Sequence, residues 1–528
     1  MTSPSTAERR IYLILFLAGL AVFGAAAVWI AAPGYMDAEY YYATATQLAT
    51  GKGLVEPFIW NFLAAPHSLP APSHIYWQPL ASVMAAAPMA LFGTNFRIAQ
   101  VISVLLAALV SPLAARLALL LGAERRAAWL AGVLAILPGF FLPYLVTTDT
   151  FAVFAVIGGL LWWQIGVAVV RPAGWRWMVL GALVALGSLA RADGLLLWFP
   201  VVYAVAASGR PRWRHFALAV GGFVVLMLPW WLRNLAVTGA WMSPGSIRTL
   251  WLLNYDELFS FPASQLTFAR WWHAGLTALL QARLAAAWVN LQSLVAVSGL
   301  VLLLPLAAVS AWRHRAAASV RAGALYSAVL YLFMSVVFPF AGSRGGFFHS
   351  SAALIPLVSA LAGEGTLLAA EWMASRLKWA PERTRAMLTS IAVVLAAALS
   401  LWTLAGKAGA FGPGGSFGRN LATYRAAERV LASQDGSASV VAVGDPPGYF
   451  LAGGHRAVVI PNGTEQVLRQ VSETYGVDWI VLEADHPAGL DALYEDPGAR
   501  DWLAEPLVVV DPNGLPVYLY RVLKQATS

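Results

Sequence analysis

The chain has 528 residues, of which 59% are hydrophobic and only 11% are charged, and its mean hydropathy is +0.67. These values exclude an ordinary soluble domain and predict a polytopic membrane protein. Cysteine is absent, which excludes disulfides, thiolate nucleophiles and cysteine-based metal sites. The net charge of +8 would suit nucleic acid, but the basic residues cluster in loops between apolar segments. We therefore predict membrane lipids, and no nucleic acid, as partners.

The first apolar run predicts a retained transmembrane helix. Residues 11–32 are enough to cross a bilayer and too many for the apolar region of a signal peptide. An acidic, tyrosine-rich stretch follows directly, with the sequence Gly34-Tyr35-Met36-Asp37-Ala38-Glu39-Tyr40-Tyr41-Tyr42. Carboxylates at a membrane boundary are costly, which favours a functional role for them.

Further apolar runs predict about eleven membrane spans in all. They are residues 11–32, 98–121, 127–146, 150–170, 178–190, 195–208, 215–232, 288–311, 323–340, 352–370 and 389–406. The fifth and sixth are short and are expected to form a hairpin hinged at Arg191-Ala192-Asp193-Gly194. With a cytoplasmic N-terminus, the basic clusters all fall on the cytoplasmic side, as the positive-inside rule requires. These clusters are Arg9/Arg10, Arg125/Arg126, Arg171/Arg176, Arg210/Arg212/Arg214, Arg313/Arg315/Arg321 and Arg376/Lys378/Arg383/Arg385.

One apolar segment, from Gln78 to Phe92, is predicted not to span the membrane. It is short and contains Pro79 and Pro88, so we interpret it as an interfacial or re-entrant helix within the first external loop, residues 33–97. Counting it as a span would reverse the side of the membrane predicted for every later loop. With this topology in the cytoplasmic membrane, Asp37 and Asp149 lie on the same, extracytoplasmic face.

Two other regions are predicted outside the membrane. Residues 233–287 form a long external loop, and residues 411–415 form a linker to a segment of different composition. In that segment the predicted strands are Ser439–Val443, Ala457–Ile460, Trp479–Leu482, Leu507–Val510 and Val517–Val522, with a helix over Glu465–Tyr475. We therefore divide the chain into a transmembrane domain, residues 1–410, and a small extracytoplasmic α/β domain, residues 411–528. No P-loop or dinucleotide-binding motif is present, which excludes an ATP-driven machine.

Asp37 is the first candidate catalytic residue. It precedes a predicted helix over residues 38–49 and can serve as its N-cap. It can also act as a general base, because desolvation at the membrane boundary raises a carboxyl pKa toward the range that suits deprotonating a hydroxyl. Glu39 lies on another helical face, whereas Tyr41, four residues on, shares the face of Asp37. Tyr40 and Tyr41 are interpreted as interfacial anchors that can also line a sugar subsite.

Asp149 and the pair Arg191/Asp193 are further candidates. Asp149, in Thr147-Thr148-Asp149-Thr150, heads an apolar segment, where it can cap a helix, position an acceptor or bind a metal. Arg191 and Asp193 are expected to pair with each other, as charges near the membrane usually do.

The stretch Ser343-Arg344-Gly345-Gly346-Phe347-Phe348-His349-Ser350 is a candidate phosphate site. It carries one arginine, one histidine and two glycines that let backbone N–H groups approach a ligand, and it leads into a helix whose N-terminus favours anions. The alternative is a tight turn whose Arg344 extends to lipid headgroups. No histidine metal site is predicted, because His67, His74, His273, His455 and His486 are scattered without ligand spacing.

The motif around Asp37, followed by Trp77-Gln78-Pro79-Leu80 and by Leu91-Phe92-Gly93-Thr94-Asn95 with Arg97, resembles the GT-C glycosyltransferases. The similarity is greatest to the protein O-mannosyltransferase and lipid A aminoarabinose transferase group. This resemblance covers roughly residues 10–240 and implies a polytopic helical fold with an appended α/β domain. It also implies transfer of a sugar from a polyprenyl-phosphate donor to a hydroxyl acceptor on the extracytoplasmic face.

The resemblance implies roles for individual residues. A first-loop aspartate serves as base in that group, which maps onto Asp37, and an acidic residue before the fourth span maps onto Asp149. The first motif here is Asp-Ala-Glu rather than two adjacent acidic residues, so Glu39 is a secondary catalytic candidate. Arg344 is the first choice for the cation that binds the donor phosphate, ahead of Arg233 and Arg191, with His349 beside it. Tyr40, Tyr41 and Trp77 are expected to line the substrate.

The predicted reaction needs one base and charge stabilisation at the leaving phosphate. It requires no cofactor, and although a divalent metal is compatible with it, none is predicted. A transporter or flippase and a non-catalytic assembly subunit are the alternatives from other classes. An enzyme that moves a whole lipid-linked glycan is the alternative within the same class, and a metal at Asp37 and Asp149 would favour it.

Overall fold

The computed structural model describes residues 5–209, 211–243, 245–298, 300–301, 303–434 and 440–524. Arg210 of one basic cluster and Ser439 of one predicted strand lie outside these ranges. The N-terminal elements are α1 (Thr6–Trp29), α2 (Met36–Ala49), β1 (Val55–Glu56), β2 (Phe58–Ile59), β3 (Ala71–Pro72), α3 (Leu80–Phe92) and α4 (Phe96–Leu120). α3 is the predicted short helix of the first external loop, and it packs between α2 and α4.

The next elements include the predicted helical hairpin. They are α5 (Arg125–Ile136), α6 (Leu142–Leu145), α7 (Phe151–Val170), α8 (Gly174–Ala190), α9 (Trp198–Ala207) and α10 (Arg212–Thr238). α8 and α9 are joined by a 3₁₀ turn over Ala192–Leu197, so the hinge lies where it was predicted. The axes of α5 and of the helical segment Gly139–Leu145 differ by 46° across the short break between them.

The remaining helices before the C-terminal segment are α11 (Phe268–His273), α12 (Leu276–Gln292), α13 (Leu303–Arg313), α14 (Ala318–Leu332), α15 (Pro339–Ala341), α16 (Phe347–Ser351), α17 (Ile355–Leu377) and α18 (Pro381–Lys407). α15, α16 and α17 follow one another in a single apolar stretch that is broken over Gly342–Gly346. Gly345 lies in this break with φ +120°, a backbone conformation that side-chain-bearing residues rarely adopt.

Within the described ranges, seven helices are long and apolar enough to cross a membrane, or up to eight if the bent pair is one span. The chain is therefore a multi-pass membrane protein. The count of about eleven spans also includes shorter apolar helices such as α8 and α13, and it stays a prediction. Small residues allow close helix crossings: a Cβ added to Gly222 of α10 would lie 2.1 Å from the Met178 carbonyl oxygen of α8.

The C-terminal segment builds a small α/β unit. Its elements are α19 (Arg419–Leu431), β4 (Val440–Val443), α20 (Pro446–Gly453), β5 (Arg456–Val459), α21 (Glu465–Tyr475), β6 (Trp479–Leu482), α22 (Asp491–Glu495), β7 (Leu507–Val510) and β8 (Pro516–Arg521). The predicted helix and the predicted strands are all found, so the fold class of a helical membrane protein with a small C-terminal α/β domain is confirmed.

One strand of the C-terminal sheet comes from the first external loop. The six-stranded sheet has the order β2-β5-β4-β6-β8-β7. β2, β5, β4 and β6 are parallel, and β8 pairs antiparallel with both β6 and β7. Phe58 pairs with Ala457 and Ile59 with Val458, and all four are buried. The first external loop and the C-terminal segment therefore share one sheet and one apolar core.

Candidate active site

Two carboxylates and one imidazole converge beside the C-terminal domain. Nε2 of His349 lies 2.8 Å from Oδ2 of Asp149 and 3.8 Å from Oδ1 of Asp37. The three residues come from α2, from the turn before α7 and from α16, so chain segments more than 100 residues apart meet here. The predicted proximity of Asp37 and Asp149 is thus present in the structure.

Asp37 occupies the first turn of α2 and is not its cap. The N-cap is Tyr35, which makes no side-chain capping bond, so the interpretation of Asp37 as the N-cap is wrong. The Asp37 side chain is 29% exposed and opens into a large cavity. Its pKa is raised to about 6, chiefly by burial and also by the nearby charge of Asp149, whereas His349 and Arg191 oppose the rise. A carboxyl of this pKa is poised for base catalysis near neutral pH.

Asp149 is held as a fixed carboxylate. The N-cap position of α7 is Thr150, so the capping interpretation of Asp149 is also wrong. Its oxygens accept hydrogen bonds from the Tyr35 hydroxyl at 2.8 Å and from the Thr150 hydroxyl at 3.1 Å. Burial favours the neutral acid, but His349 and these hydrogen bonds prevail and lower the pKa of Asp149 to about 2.

His349 is oriented by the break in the helix that precedes it. Its Nδ1 lies 2.8 Å from the carbonyl oxygen of Gly345, and its ring stacks on Phe151 with the ring centres 4.2 Å apart. A carbonyl only accepts hydrogen bonds, so Nδ1 carries a proton and Nε2 is directed at the carboxylates. The sequence placed His349 with the donor phosphate, whereas in the structure it contacts Asp149 and approaches Asp37.

Arg191 and Asp193 form the predicted pair. The Arg191 Nε lies 3.0 Å from Asp193 Oδ1 and 3.0 Å from the Ser350 hydroxyl, which in turn donates to Asp193. Both charged side chains line the cavity next to Asp37. Because its carboxylate partner neutralises it, Arg191 contributes less positive charge to the cavity than a free arginine would.

Arg344 is the cation most available to a ligand. It lies in the helix break, lines the cavity and stacks over the Tyr255 ring at 5.0 Å. Among the described residues it has no carboxylate partner within ion-pair distance. The structure therefore leaves its charge directed to the cavity, as a phosphate-binding role requires.

Three predicted site residues lie away from this cluster. Arg233 donates to the Ser73 carbonyl and stacks over Trp230, so it does not reach the cavity. Tyr40 is buried and accepts a hydrogen bond from the His74 backbone at 2.7 Å. Glu39 is also buried and faces the C-terminal domain, which excludes a role at the Asp37 end. Tyr41 and Trp77, by contrast, line the cavity.

The cluster has the donor set of a metal site, although the sequence predicted none. Asp37, Asp149 and His349 each offer one ligand atom, and these atoms lie within 4.8 Å of one another. Carboxylate oxygens and an imidazole nitrogen suit a divalent cation. The bond from Nδ1 to the Gly345 carbonyl is the outer contact that orients metal-binding histidines. These residues therefore fit a divalent metal.

The cavity beside the cluster has a volume of about 1540 Å³. One wall is formed by the membrane helices and the first external loop, and the other by the C-terminal domain. Sequence reasoning missed the second wall, whose polar residues include Arg419, Asn420, Asp445 and Glu483. The predicted linker was the sequence feature closest to this wall, since its glycines Gly414 and Gly415 also line the cavity.

Comparisons with known proteins identify the fold. No protein-family model and no curated protein matches the chain. ArnT from Cupriavidus metallidurans bound to undecaprenyl phosphate has a TM-score of 0.57 at 13% identity, covering 98% of this chain and 99% of that one. The oligosaccharyltransferase AglB from Archaeoglobus fulgidus, in complex with an inhibitory peptide and a dolichol-phosphate, has a TM-score of 0.56 at 11% identity, covering 97% and 74%.

A third structure, the A. fulgidus oligosaccharyltransferase in complex with Zn and sulfate, has a TM-score of 0.56 at 13% identity, covering 96% of this chain and 72% of that one. ArnT and AglB are GT-C glycosyltransferases, so the resemblance seen in the first-loop motif is confirmed at the level of the fold. The chain therefore has the GT-C fold of the membrane glycosyltransferases.

Proposed function

We propose that the protein is a membrane glycosyltransferase that moves a sugar from a polyprenyl-phosphate donor to a hydroxyl acceptor. The observation that carries this proposal is the convergence of Asp37, Asp149 and His349 beside a large cavity that Arg344 also lines. Solved structures of the same fold hold undecaprenyl phosphate or dolichol-phosphate, which supports a lipid-phosphate donor here.

The base in this proposal is Asp37. The acceptor hydroxyl donates to the exposed oxygen of Asp37 and loses its proton as its oxygen bonds to the anomeric carbon. The bond from that carbon to the phosphate oxygen breaks at the same time, so the phosphate leaves with the electron pair. One base suffices if the geometry inverts, because no covalent sugar–enzyme intermediate is then needed.

The positive charge in this proposal comes chiefly from Arg344. Negative charge grows on the phosphate as the bond breaks, so a guanidinium held near it stabilises the transition state more than the ground state. Arg191 adds a second, partly neutralised cation on the same side. Asp149 accepts from His349 and Tyr35 and so fixes the imidazole beside the base.

We also propose that Asp37, Asp149 and His349 hold a divalent cation, since a related fold has been solved with Zn and sulfate. When bound, such an ion supplies positive charge that lowers the pKa of a nearby hydroxyl. His349 would offer Nε2 while Nδ1 keeps its bond to Gly345. This is a second candidate for how the same site activates its acceptor, and chelation distinguishes it from base catalysis alone.

The proposed location is the extracytoplasmic face of the cytoplasmic membrane. The basic clusters favour a cytoplasmic N-terminus. Asp37 and the C-terminal domain line the same cavity and so lie on one side of the membrane. That the charged cluster lies beside an external domain, and not in the middle of the spans, supports a transferase over a transporter.

The test is transfer from a radiolabelled polyprenyl-phosphate sugar in proteoliposomes, with a panel of hydroxyl acceptors. We expect labelled product from the wild-type chain and its loss by at least about a hundredfold in Asp149→Asn. Asp501→Asn, a change at an exposed carboxylate of the C-terminal domain, is the matched control. Movement of intact donor across the bilayer without any labelled product would instead indicate a flippase.

A further inference from the structure

The second wall of the cavity is the carboxyl edge of a parallel sheet. Asp445 follows β4 by two residues and Glu483 follows β6 directly. In the sheet order β5-β4-β6, the chain leaves β4 for one neighbour and later returns to its other side. The crevice at such a reversal, outside the carboxyl ends of the strands, is where open α/β sheets bind ligands. Here that crevice opens into the cavity beside Asp37.

A buried carboxylate of the membrane domain packs against Asp445 from outside the lining of the cavity. Glu39 of α2 is 1% exposed, and its Oε2 has no hydrogen-bond partner among the described residues. A Cβ added to Gly448 would lie 2.9 Å from that oxygen and 2.9 Å from Oδ2 of Asp445, so the two carboxylates face one spot. Both only accept hydrogen bonds when ionised. A proton held between them satisfies both, and contacts to a ligand on this side come from Asp445, which lines the cavity, and not from Glu39.

Three polar side chains, Asn420, Tyr424 and Arg419, surround Asp445 and Glu483. The Asn420 amide lies 3.5 Å from Asp445 Oδ2, and Tyr424 donates to Glu483 at 2.8 Å. Glu483 has its pKa raised to about 7, chiefly by burial and also by Asp445, while Tyr424 and Arg419 oppose the rise. Arg419 is thus a cation close enough to Glu483 to offset part of the negative charge there.

These carboxylates do not have the spacing of a three-residue metal site. Across the described ranges, the one group of three or more such ligands that converges within 4.8 Å is Asp37, Asp149 and His349. Asp445 and Glu483, which line the cavity, suit an organic ligand with hydrogen-bond donors. The cavity also presents the stacked rings of Trp60 and Trp77, 3.8 Å apart, as a flat apolar surface.

We propose that the crevice lined by Asp445 and Glu483 is the acceptor subsite, and that it binds a polyhydroxylated, uncharged group such as the sugar of a glycan. Carboxylates accept hydrogen bonds from hydroxyls and repel phosphates and carboxylates. The cavity is then lined both by Arg344, which favours a phosphate, and by carboxylates of the C-terminal domain, which favour hydroxyls. The role of this crevice as the acceptor site rests on the proposed transfer reaction. The binding of a sugar there does not, because it can be measured without turnover.

The test uses the full chain in nanodiscs and saturation-transfer NMR with neutral sugars, N-acetylglucosamine and methyl α-mannopyranoside. We expect Asp445→Asn and Glu483→Gln each to weaken sugar binding at least about tenfold, the usual effect of losing a charged hydrogen bond. Asp501→Asn should leave it unchanged. Glucuronate, tested in the Arg344→Ala variant so that the arginine cannot capture it, should bind more weakly than the neutral sugars.

The outcomes separate this proposal from the transfer reaction. If no transfer is found but the variants weaken sugar binding, the subsite stands without that reaction. If transfer is measured, yet Asp445→Asn and Glu483→Gln change neither the acceptor KM nor sugar binding, the subsite is wrong and the reaction stands. Unchanged sugar binding with a lowered Tm in Glu39→Gln, Asp445→Asn and Glu483→Gln would also overturn it. The carboxylates would then only share protons at the joint between α2 and the C-terminal domain.

Discussion

The carbonyl oxygen of Gly345 lies 2.8 Å from Nδ1 of His349, one helical turn further along the chain. This bond turns the other ring nitrogen toward Asp149 and Asp37. It depends on the helix break, and the break depends on a glycine at φ +120°.

We therefore expect Gly345→Ala to reduce transfer by about tenfold or more. The added Cβ has room, with its nearest neighbour His349 Nδ1 at 3.5 Å, so the cost is backbone strain of about 1–3 kcal/mol and not a clash. Relief of that strain would turn the Gly345 carbonyl away from His349. Steady-state kinetics checks this, with Gly221→Ala as the control because its Cβ meets nothing within 4 Å. Equal loss in both variants would remove the positioning role.

Asp37→Asn should lower transfer at least about a hundredfold, the usual scale for a lost general base, while folding is retained. The pKa of Asp37 is raised to about 6, so the ionised, active form is gained as the pH rises through 6. In the wild-type chain, kcat/KM should therefore fall about tenfold per pH unit below that value. The residual activity of the asparagine variant should lack this acid limb. If the asparagine variant keeps the same acid limb of the pH profile, the titrating group is not Asp37.

Arg344→Ala should lower kcat as well as raise the donor KM, because its interaction strengthens as the phosphate leaves. Arg344→Lys should have a smaller effect in the same direction, since lysine retains the charge but not the two-pronged hydrogen bonding. Donor titrations in proteoliposomes measure both constants. Arg321→Ala is the control, since Arg321 is exposed and does not line the cavity. If both constants are unchanged in Arg344→Ala, the arginine only contacts lipid headgroups.

Chelation should abolish transfer if the cluster holds a divalent cation, and added Mn²⁺ or Mg²⁺ should restore it. Metal content per chain, measured by mass spectrometry on the purified protein, gives a readout that does not depend on activity. It should fall in Asp149→Ala and be retained in Asp501→Ala, a change far from the cluster. Full activity after chelation, with no bound metal, would leave base catalysis by Asp37 as the mechanism.

The C-terminal domain should be extracytoplasmic, because the basic clusters favour a cytoplasmic N-terminus. A cysteine introduced at exposed Asp501 should react with a membrane-impermeant maleimide in intact cells, and the native chain has no cysteine to interfere. Cysteine at Arg321, in a predicted cytoplasmic loop, should react only after lysis. The reverse labelling pattern would overturn the proposed orientation and the location of the site.

Sequence reasoning succeeded where a feature is local. The helix Glu465–Tyr475 and the strand Trp479–Leu482 have the predicted boundaries, because a strongly amphipathic run and a short buried run each carry their own signal. It failed where two distant segments meet. The two-residue strand β2 has no periodicity of its own, and its partner lies about 400 residues away.

The same limit applied to the site. Asp37 and Asp149 could be placed on one face by topology alone, whereas the contact of His349 with both depends on a helix break that composition does not reveal. Asp445 and Glu483 could not be assigned because their meeting requires the strand order of the sheet. Arg233 was predicted as an alternative to Arg344 for the donor phosphate, but the fold directs it to the Ser73 carbonyl.

The pairing of β2 with β5 also has a consequence for how the domain can be studied and how it forms. A fragment beginning near residue 411 would lack β2 and would expose the backbone donors and acceptors of β5 as a bare edge. Bare edges pair readily with other chains, so such a fragment is expected to associate with itself. In the intact chain, this contact between residues about 400 apart raises the contact order of the sheet. The sheet can therefore be completed only after nearly the whole chain has been made.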